Sequence, residues 1–239
     1  MQRNIEVCLT PALVGLYDIT ESIVVVIDIL RATSSIVYGI ENGATSIIPV
    51  AQVEECLSYA DQGYLLAAER NGEVVPGYDF GNSPFSYTAE KVSGKTVVLT
   101  TTNGTKALQL ARPNASRVVI GAFLNLDALC DWLKTQDKNV LLLCAGWKDQ
   151  FNLEDTVFAG AVVSKLRDTF SMADDASVAA ADLYQLAKDD LRAYIGKSSH
   201  SHRMAALNIE KDVEFCLQLN TCQAIPVLEG ERLVRLKTV

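Results

Sequence analysis

Short apolar runs rich in β-branched residues alternate with amphipathic segments through the first two-thirds of the chain. The runs predict strands, and the segments between them predict helices because their apolar positions recur with helical spacing. Predicted strands cover residues 5–9, 23–27, 46–50, 64–67, 96–100, 117–120 and 140–143, and predicted helices cover residues 32–42, 52–62, 105–111 and 126–135. This regular interleaving predicts a layered α/β protein with a mostly parallel or mixed sheet.

The last third of the chain has a helical pattern. It predicts helices at residues 154–167, 175–195 and 211–219, followed by short apolar stretches at residues 224–228 and 233–236. In the second of these helices, an apolar stripe for packing on the body is formed by Ala179, Leu183, Leu186, Leu191 and Tyr194. No repeat of fixed period is present, so residues 1–239 are expected to form one domain or two intimately packed halves.

Composition places the chain among ordinary globular proteins, with 49% hydrophobic and 21% charged residues. No apolar run approaches the roughly 20 residues needed to cross a bilayer, so no membrane partner is expected. The formal charge of −8 argues against a nucleic-acid partner, and a small anionic ligand would need local arginines, backbone N–H groups or a metal. The six cysteines lack CxxC pairs and the first residues lack a secretory pattern, so a reduced, cytoplasmic protein is expected.

Polar residues follow four of the predicted strands at the point where each strand ends. Asp28 follows the second strand, Glu69 and Arg70 follow the fourth, and residues 100–103 and 144–146 follow two later ones. Ligands of open α/β sheets bind beyond the carboxyl ends of the strands, so these segments are expected to converge on one pocket. The alternative is that these loops are polar simply because loops are exposed.

Arg31 lies at the start of a predicted helix, shortly after Asp28. A helix N-terminus carries about half a positive charge, so a cation there is disfavoured unless an anion compensates it. An anionic ligand would provide that compensation. The alternative is a local pair between Asp28 and Arg31, with Thr33 or Ser34 as the helix cap.

Residues 100–106 join a strand to a helix through Gly104, with hydroxyl side chains and backbone donors around the turn. Such junctions bind phosphate because the helix N-terminus offers N–H groups and glycine allows close backbone approach. The segment has neither the Walker spacing nor the GxGxxG fingerprint. An ordinary Asn-Gly turn with a helix cap is the alternative.

Glu154 and Asp155 are adjacent acids at the start of the first predicted helix in the last third of the chain. Mg²⁺ binds a few carboxylates and keeps water and substrate oxygens, so Asp28, Glu154 and Asp155 are the candidate metal ligands. Acids at a helix start are also stabilising without a metal, and Asn152 with Asp155 resembles a capping arrangement. Both interpretations stay open.

Other polar residues also have ordinary explanations. Ser83 fits an N-cap before a proline at the first helical position, and Glu69 with Arg70 fits a surface pair. His200 belongs to no zinc-binding spacing. Cys144 is either a small buried hydrophobe or a nucleophile at a strand end.

Together these segments resemble the 2-phosphosulfolactate phosphatase family. The resemblance rests on residues 24–33, 69–70, 81–84, 101–105, 144–146 and 153–156, and it extends to residues 198–204, 212–216 and 225–226. Ser201 stands where a glycine is expected after His200. The resemblance implies a three-layer α/β/α fold and a magnesium-dependent release of phosphate and 3-sulfolactate from 2-phosphosulfolactate, a step of coenzyme M biosynthesis.

We therefore expect catalytic roles for Asp28, Arg31, Arg70 and Cys144, and Mg²⁺ on Asp28, Glu154 and Asp155. Substrate contacts are expected from Arg31, Glu69, Arg70, Asn82, Ser83, Thr102, Asn103, Gly104, Thr105 and Gly146. The nucleophile is a metal-activated water, Cys144 or Asp28, because the signatures of aspartyl, cysteine and histidine phosphatases are absent from the sequence. A homo-oligomer is a further expectation. The alternatives are another small anionic phosphate ester as substrate, or non-catalytic binding of a phosphorylated metabolite.

Overall fold

The structure of the protein is a computed structural model that describes residues 3–205 and 209–237. Its strands are β1 (Asn4–Cys8), β2 (Ser22–Ile27), β3 (Ser46–Pro49), β4 (Leu65–Arg70), β5 (Glu73–Val74), β6 (Thr96–Thr100), β7 (Arg117–Gly121), β8 (Asn139–Cys144), β9 (Ser171–Met172), β10 (Pro226–Glu229) and β11 (Arg232–Arg235). Its helices are α1 (Ala32–Glu41), α2 (Val53–Leu57), α3 (Ala89–Val92), α4 (Gly104–Ala111), α5 (Leu126–Lys134), α6 (Leu153–Leu166), α7 (Asp175–Ala187), α8 (Leu191–Ile195), α9 (Ser199–Ala205) and α10 (Glu210–Cys216).

The described strands form one mixed, 11-stranded sheet in the order β5-β4-β6-β3-β11-β10-β7-β2-β8-β1-β9. Within it, β4, β6 and β3 form one parallel block, and β7, β2, β8, β1 and β9 form a second. The β10–β11 hairpin lies between the blocks and pairs antiparallel with β7 and β3. Helices pack on the sheet in a three-layer α/β/α arrangement, which confirms the predicted fold class.

The hairpin reverses the direction of the sheet. Three successive antiparallel pairings separate β3 from β7, so the two parallel blocks run in opposite senses. Helix α4 follows β6 of the first block but packs against β2 of the second. This crossing brings strand ends of both blocks together, which the rule for a single parallel sheet does not predict.

The most continuous apolar runs of the sequence form the centre of the second block. All 6 residues of β2 are buried, and so are residues 140–144 of β8. Strands in an α/β sheet that are covered on both faces have no polar side, which explains their runs of Val, Ile and Leu. Both strands match their predicted positions closely.

Two predicted helices are each divided into two shorter elements in the structure. The segment 175–195 divides into α7 and α8 because the Asp190 side chain accepts a 2.9 Å hydrogen bond from the Ala193 N–H and caps the second helix. The segment 52–62 forms α2 and then a 3-10 turn. Strands β5 and β9, each of 2 residues, escaped prediction because such short segments show no periodicity.

The apolar stripe predicted for α7 is also displaced. Leu186 is 71% exposed, whereas the small residues Ala180 and Ala187 are buried. Close packing against α6 explains this choice, because a Cβ on Gly160 would lie 1.9 Å from the Ala180 carbonyl oxygen. Small side chains therefore make the closest contact with α6, while Leu183, Leu191 and Tyr194 of the predicted stripe pack against the core.

No helix in the described part of the chain is both long and apolar enough to cross a membrane. All six cysteines are free and buried. The organisation into one domain or two packed halves stays a prediction, and so does the homo-oligomer.

Candidate active site

A cavity of about 250 Å³ lies where β2, β4, β6 and β8 end, with helix α9 beside it. Its described lining consists of Asp28, Leu30, Arg31, Glu69, Asn71, Gly72, Asn82, Asn103, Trp147 and His200. Residues that follow four different strands thus meet at one place. They come from both parallel blocks, so the cavity lies at the junction of the blocks.

Asp28 follows the last residue of β2 and is partly exposed to the cavity. Its N–H donates to the Thr33 hydroxyl oxygen (3.1 Å), and the Thr33 N–H donates to the Asp28 carbonyl oxygen (2.9 Å). Burial raises the pKa of Asp28 to about 7; Glu69 adds to the rise and His200 opposes it. A carboxyl group with so high a pKa in a cavity marks a place suited to a proton or a cation.

Arg31 precedes α1 and is anchored on two sides. Its Nη1 atom donates to Asp212 of α10, and its Nη2 atom donates to the Gly72 carbonyl oxygen at 2.7 Å. Arg31 and Asp212 are only 5% and 6% exposed. The ion pair of Arg31 is therefore made with a residue 181 positions away, and the local pair with Asp28 does not form.

Glu69 and Arg70 are neighbours on β4, so their side chains point to opposite sides of the strand. Glu69 lines the cavity, and its carboxylate accepts hydrogen bonds from the N–H groups of Thr102 (3.2 Å) and Gly72 (2.5 Å). Arg70 donates to the Thr100 hydroxyl oxygen at 3.0 Å and lines a separate surface groove. The structure brings Glu69 to the cavity and leaves Arg70 outside its described lining.

The loop between β6 and α4 forms the wall beside Asp28. Its backbone is held by Thr101 and Thr105, because the Thr105 N–H donates to Thr101 Oγ1 (3.2 Å) and the Thr105 hydroxyl donates to the Thr101 carbonyl oxygen (3.0 Å). Asn103 lines the cavity. Gly104 allows the close approach, since a Cβ there would lie 2.8 Å from Asp28 Oδ2.

Glu154 and Asp155 lie in the first turn of α6 and are 0% and 1% exposed. Asp155 Oδ1 accepts a hydrogen bond from the Ile29 N–H (2.9 Å), and Oδ2 accepts one from the Gly146 N–H (3.1 Å). Burial, with the nearby acids Asp28 and Glu154, raises the pKa of Asp155 well above its ordinary value. Asp155 thus ties the loops after β2 and β8 together, with both oxygen atoms engaged.

Glu154 has one engaged oxygen atom and one without a partner. Its Oε1 contacts His200 Nδ1, and the His200 ring stacks on Trp147 with 5.7 Å between centroids. Its Oε2 is buried and has no hydrogen-bond partner among the described residues. Such an atom is costly unless a donor or a cation compensates it. The capping alternative is not seen here, because the Asn152 side chain makes no cap hydrogen bond.

Within residues 3–205 and 209–237, no three His, Cys, Asp or Glu side chains are arranged to hold one metal ion. Of the candidate ligands, Asp155 uses both oxygen atoms on backbone N–H groups. Asp28 and the Oε2 atom of Glu154 remain as oxygen donors. This set fits Mg²⁺, which typically takes one or two carboxylates and completes its shell with water and substrate oxygens.

Cys144 ends β8, is fully buried, and is not among the described residues that line the cavity. Burial, and then the nearby Asp155, raise the pKa of the Cys144 thiol well above its ordinary value. A protonated thiol is a poor nucleophile, so this geometry favours the buried hydrophobe. Gly146 lies just beyond, with φ +61, and a Cβ on it would lie 2.3 Å from the Gln150 carbonyl oxygen.

Asn82 and Ser83 approach the cavity region on the loop before the 3-10 turn Pro84–Ser86. Asn82 lines the cavity, and its Oδ1 is buried without a partner among the described residues. The Ser83 hydroxyl donates to Asp212 Oδ1 at 3.0 Å and makes no cap hydrogen bond. Ser83 therefore supports the acid that holds Arg31.

Sequence reasoning assigned no role to Asn71, Gly72, Trp147 or His200, and it included Asp212 only in the segment 212–216 that carries the family resemblance. An Asn-Gly pair directly after a strand is a strong turn signal, so Asn71 and Gly72 were detectable. Asp212 was harder to detect, because its only unusual feature is that it is an acid on the buried side of a helix. Nothing in the local sequence shows its pairing with an arginine so distant along the chain.

The fold and the cavity define a class of protein: an α/β/α protein whose strand-end cavity combines an arginine, two acids and a helix N-terminus, which suits a small charged ligand. Comparison with known proteins narrows this class. Residues 8–231 match the model of the 2-phosphosulpholactate phosphatase family, and the chain belongs to that family.

Curated relatives are similar over most of their length. A "Probable 2-phosphosulfolactate phosphatase" of Thermotoga petrophila is 44% identical over 205 residues, which cover 85% of this chain and 88% of the relative. A protein of that name from Symbiobacterium thermophilum is 36% identical over 231 residues, 92% of this chain and 97% of the relative. One from Gloeobacter violaceus is 38% identical over 223 residues, 91% of this chain and 92% of the relative. The shared name describes a phosphoric monoester hydrolase.

Proposed function

We propose that the protein hydrolyses 2-phosphosulfolactate to 3-sulfolactate and phosphate with the help of Mg²⁺. The observation that carries the proposal is the arginine-containing cavity at the strand ends, in a chain that matches the family over residues 8–231. A volume of about 250 Å³ suits a small metabolite and is too small for a macromolecular substrate segment. In an organism that makes coenzyme M, the reaction would belong to that pathway.

The charges around the cavity support the metal requirement. The described lining includes two carboxylates, Asp28 and Glu69. Among its described residues, Arg31 is the one arginine or lysine, and it is already paired with Asp212. 2-Phosphosulfolactate carries phosphate, sulfonate and carboxylate groups, so it needs more positive charge than one guanidinium supplies. Asp28 and Glu154 would hold Mg²⁺, and a bound Mg²⁺ would supply charge stabilisation to the phosphoryl group and the leaving oxygen.

The chain's own residues bind and orient the substrate. Arg31 offers planar, paired N–H donors to phosphate or sulfonate oxygens. The N-terminus of α4 at Gly104 lies beside Asp28, and its helix dipole favours an anion there. Trp147 and His200 stack on each other and form one wall of the cavity. Water is the proposed nucleophile, because the described lining of the cavity presents no cysteine and Asp28 is proposed to hold the metal.

A substrate panel with phosphate release as the readout tests the proposed function. 2-Phosphosulfolactate is expected to give the highest kcat/KM, with 3-sulfolactate identified by mass spectrometry. 2-Phospholactate, which lacks the sulfonate, should react more slowly because one anionic contact is lost. Faster turnover of another ester would reassign the substrate. Tight binding of every ester without phosphate release would show a non-catalytic binding protein.

Asp28→Asn is the loss-of-function variant for this assay. Its carboxamide keeps the shape of the side chain but removes the charge that would attract a cation, so turnover should fall below detection. Asp127→Asn is the matched control. Asp127 pairs with Lys165 and lies outside the described lining of the cavity, so activity should be retained.

A further inference from the structure

Asp212 is a buried acid on α10, far along the chain from the strand-end segments, that contacts the arginine of the cavity. Its Oδ2 atom pairs with Arg31 Nη1, and its Oδ1 atom accepts a 3.0 Å hydrogen bond from the Ser83 hydroxyl. Its exposure of 6% rules out a loose surface contact. Both carboxylate oxygens are engaged, one by the arginine and one by the loop that carries Ser83.

A second anchor orients the plane of the Arg31 guanidinium. Its Nη2 atom donates to the Gly72 carbonyl oxygen at 2.7 Å. A guanidinium has five N–H donors, and these two contacts with described residues use two of them. Two anchors on different nitrogen atoms define the orientation of a planar group, which a single contact would leave free to rotate.

Arg31 also has competing partners in the same cavity. Asp28 and Glu69 both belong to its described lining, and a guanidinium released from Asp212 would be attracted to them. That contact would occupy the oxygen atoms available to a cation and withdraw the donors from the ligand. A buried ion pair adds little stability by itself, because desolvation offsets the attraction. A role in orientation therefore explains this pair better than stability does.

We propose that Asp212 is a positioning residue, which holds the Arg31 guanidinium toward the substrate and away from Asp28 and Glu69. Ser83 assists by holding the second oxygen atom of Asp212. The inference rests on the proposed function for the role of Arg31 itself. In this proposal, helix α10 supports the candidate active site through Asp212.

Steady-state kinetics of three variants test the proposal. Asp212→Asn is expected to lower kcat/KM about a hundredfold, the usual effect of misplacing a binding group by about an ångström. Ser83→Ala should lower it about fivefold, because the ion pair keeps only part of its support. Asp212→Glu should recover part of the loss, since it restores the charge.

Asp127→Asn is the matched control for these variants. Asp127 also has one oxygen atom on a cation, Lys165, and one on a polar side chain, Asn220, each at 2.8 Å. It lies outside the described lining of the cavity. Its kcat/KM should stay within about twofold of the wild type.

A double-mutant cycle with Arg31→Lys separates positioning from general structural support. If Asp212 acts through Arg31, Asp212→Asn should change kcat/KM by less than about threefold in the Arg31→Lys background. Full additivity of the two losses would overturn the proposal. Wild-type kinetics of Asp212→Asn with a lowered melting temperature would also overturn it, and so would tighter ligand binding by that variant.

Calorimetric binding of inorganic phosphate in excess Mg²⁺ makes the test independent of turnover. If the wild type binds phosphate but hydrolyses no ester, only the proposed function is contradicted. In that case, a loss of at least about tenfold in the phosphate affinity of Asp212→Asn still supports the positioning of Arg31 by Asp212. Unchanged affinity in that variant overturns it, and a wild type that neither binds nor hydrolyses overturns both. If Asp212→Asn fails to fold by circular dichroism, Ser83→Ala decides, and wild-type affinity and kinetics in it overturn the proposal.

Discussion

Arg31 and Arg70 both follow or end a strand, yet they lie in regions of opposite character. Arg31 is 5% exposed in a cavity that also contains Asp28 and Glu69. Arg70 lies in what we call the outer groove, on the other side of the loop after β6. The described lining of the outer groove is Ala51, Gln52, Arg70, Thr101, Thr102, Thr105, Lys106 and Gln109, with no acid.

The difference shows that positive charge alone does not distinguish the cavity, which is the proposed reaction site, from the outer groove. The outer groove has the more basic lining, but Lys106 is half exposed and pairs with Asp149 at 2.6 Å, and Arg70 donates to the Glu69 carbonyl oxygen at 2.7 Å. Exposed charges are screened and interact weakly. In the cavity, Arg31 and Glu69 are only 5% and 4% exposed, so polar contacts there are less screened. The two acids of its described lining support the cation that we propose for it.

Removal of divalent metal should have the largest effect and should act on the cavity. Phosphate release from 2-phosphosulfolactate is expected to fall at least about a thousandfold after chelation, because the acids then repel the substrate, and to return with Mg²⁺. Binding of Mn²⁺, followed by electron paramagnetic resonance, provides a readout without turnover. It should be lost in Asp28→Asn and kept in Asp127→Asn. Full activity of thoroughly chelated protein would contradict the metal requirement.

Arg31→Lys and Arg70→Lys compare the two regions directly. Arg31→Lys should lower kcat/KM about a hundredfold, because an ammonium group cannot replace a planar fork anchored on two sides. Arg70→Lys should stay within about threefold of the wild type, since its guanidinium lies outside the described lining of the cavity. Similar losses in both variants would show that the outer groove takes part in the reaction.

Gly104→Ala tests the wall that separates the two regions. The added Cβ would meet Asp28 Oδ2 at 2.8 Å and Ala32 Cβ at 2.9 Å, so either the wall or the carboxylate must move. We expect a loss of about tenfold in kcat/KM. Gly15→Ala is the control, because nothing lies within 4 Å of its Cβ position. Equal kinetics of the two variants would show that the contact at Asp28 is unimportant.

Cys144→Ser should have the smallest effect, because Cys144 is outside the described lining of either region. Turnover per folded molecule should stay within about threefold of the wild type. Since burial raises the pKa of the thiol, the folded protein should also resist alkylation of Cys144 at about pH 8, as measured by peptide mass spectrometry. Trapping of a phosphorylated Cys144 during turnover, with an inactive but folded serine variant, would reverse this conclusion.

Most of the fold could be predicted because its strands are strongly patterned. β2 and β8 are buried on both faces, so their apolar runs had no competing interpretation. The division of residues 175–195 was less visible, since one aspartate cap outweighs a continuous helical pattern. The reversal of sheet direction was not predictable, because it depends on pairings of the β10–β11 hairpin with β7 and β3, which are distant in sequence.

The candidate site was predictable where the position of a residue in a strand determines the direction of its side chain. Asp28 lies at a strand end and reaches the cavity as expected. The opposite directions of Glu69 and Arg70 could have been foreseen, because successive strand residues alternate sides. The pairing of Arg31 with Asp212 could not have been foreseen, because the local sequence holds no information about a partner 181 residues away.

The position of the β10–β11 hairpin also affects the order of folding. Residues 226–235 follow every other strand of the sheet along the described chain, yet they provide the strand pairing that connects β3 to β7. During synthesis, each parallel block can therefore form its own ladder long before the two are joined. Such a closure between distant segments is slow and cooperative. We expect the cavity to become rigid only after the hairpin is inserted, so an incomplete chain would not carry a working site.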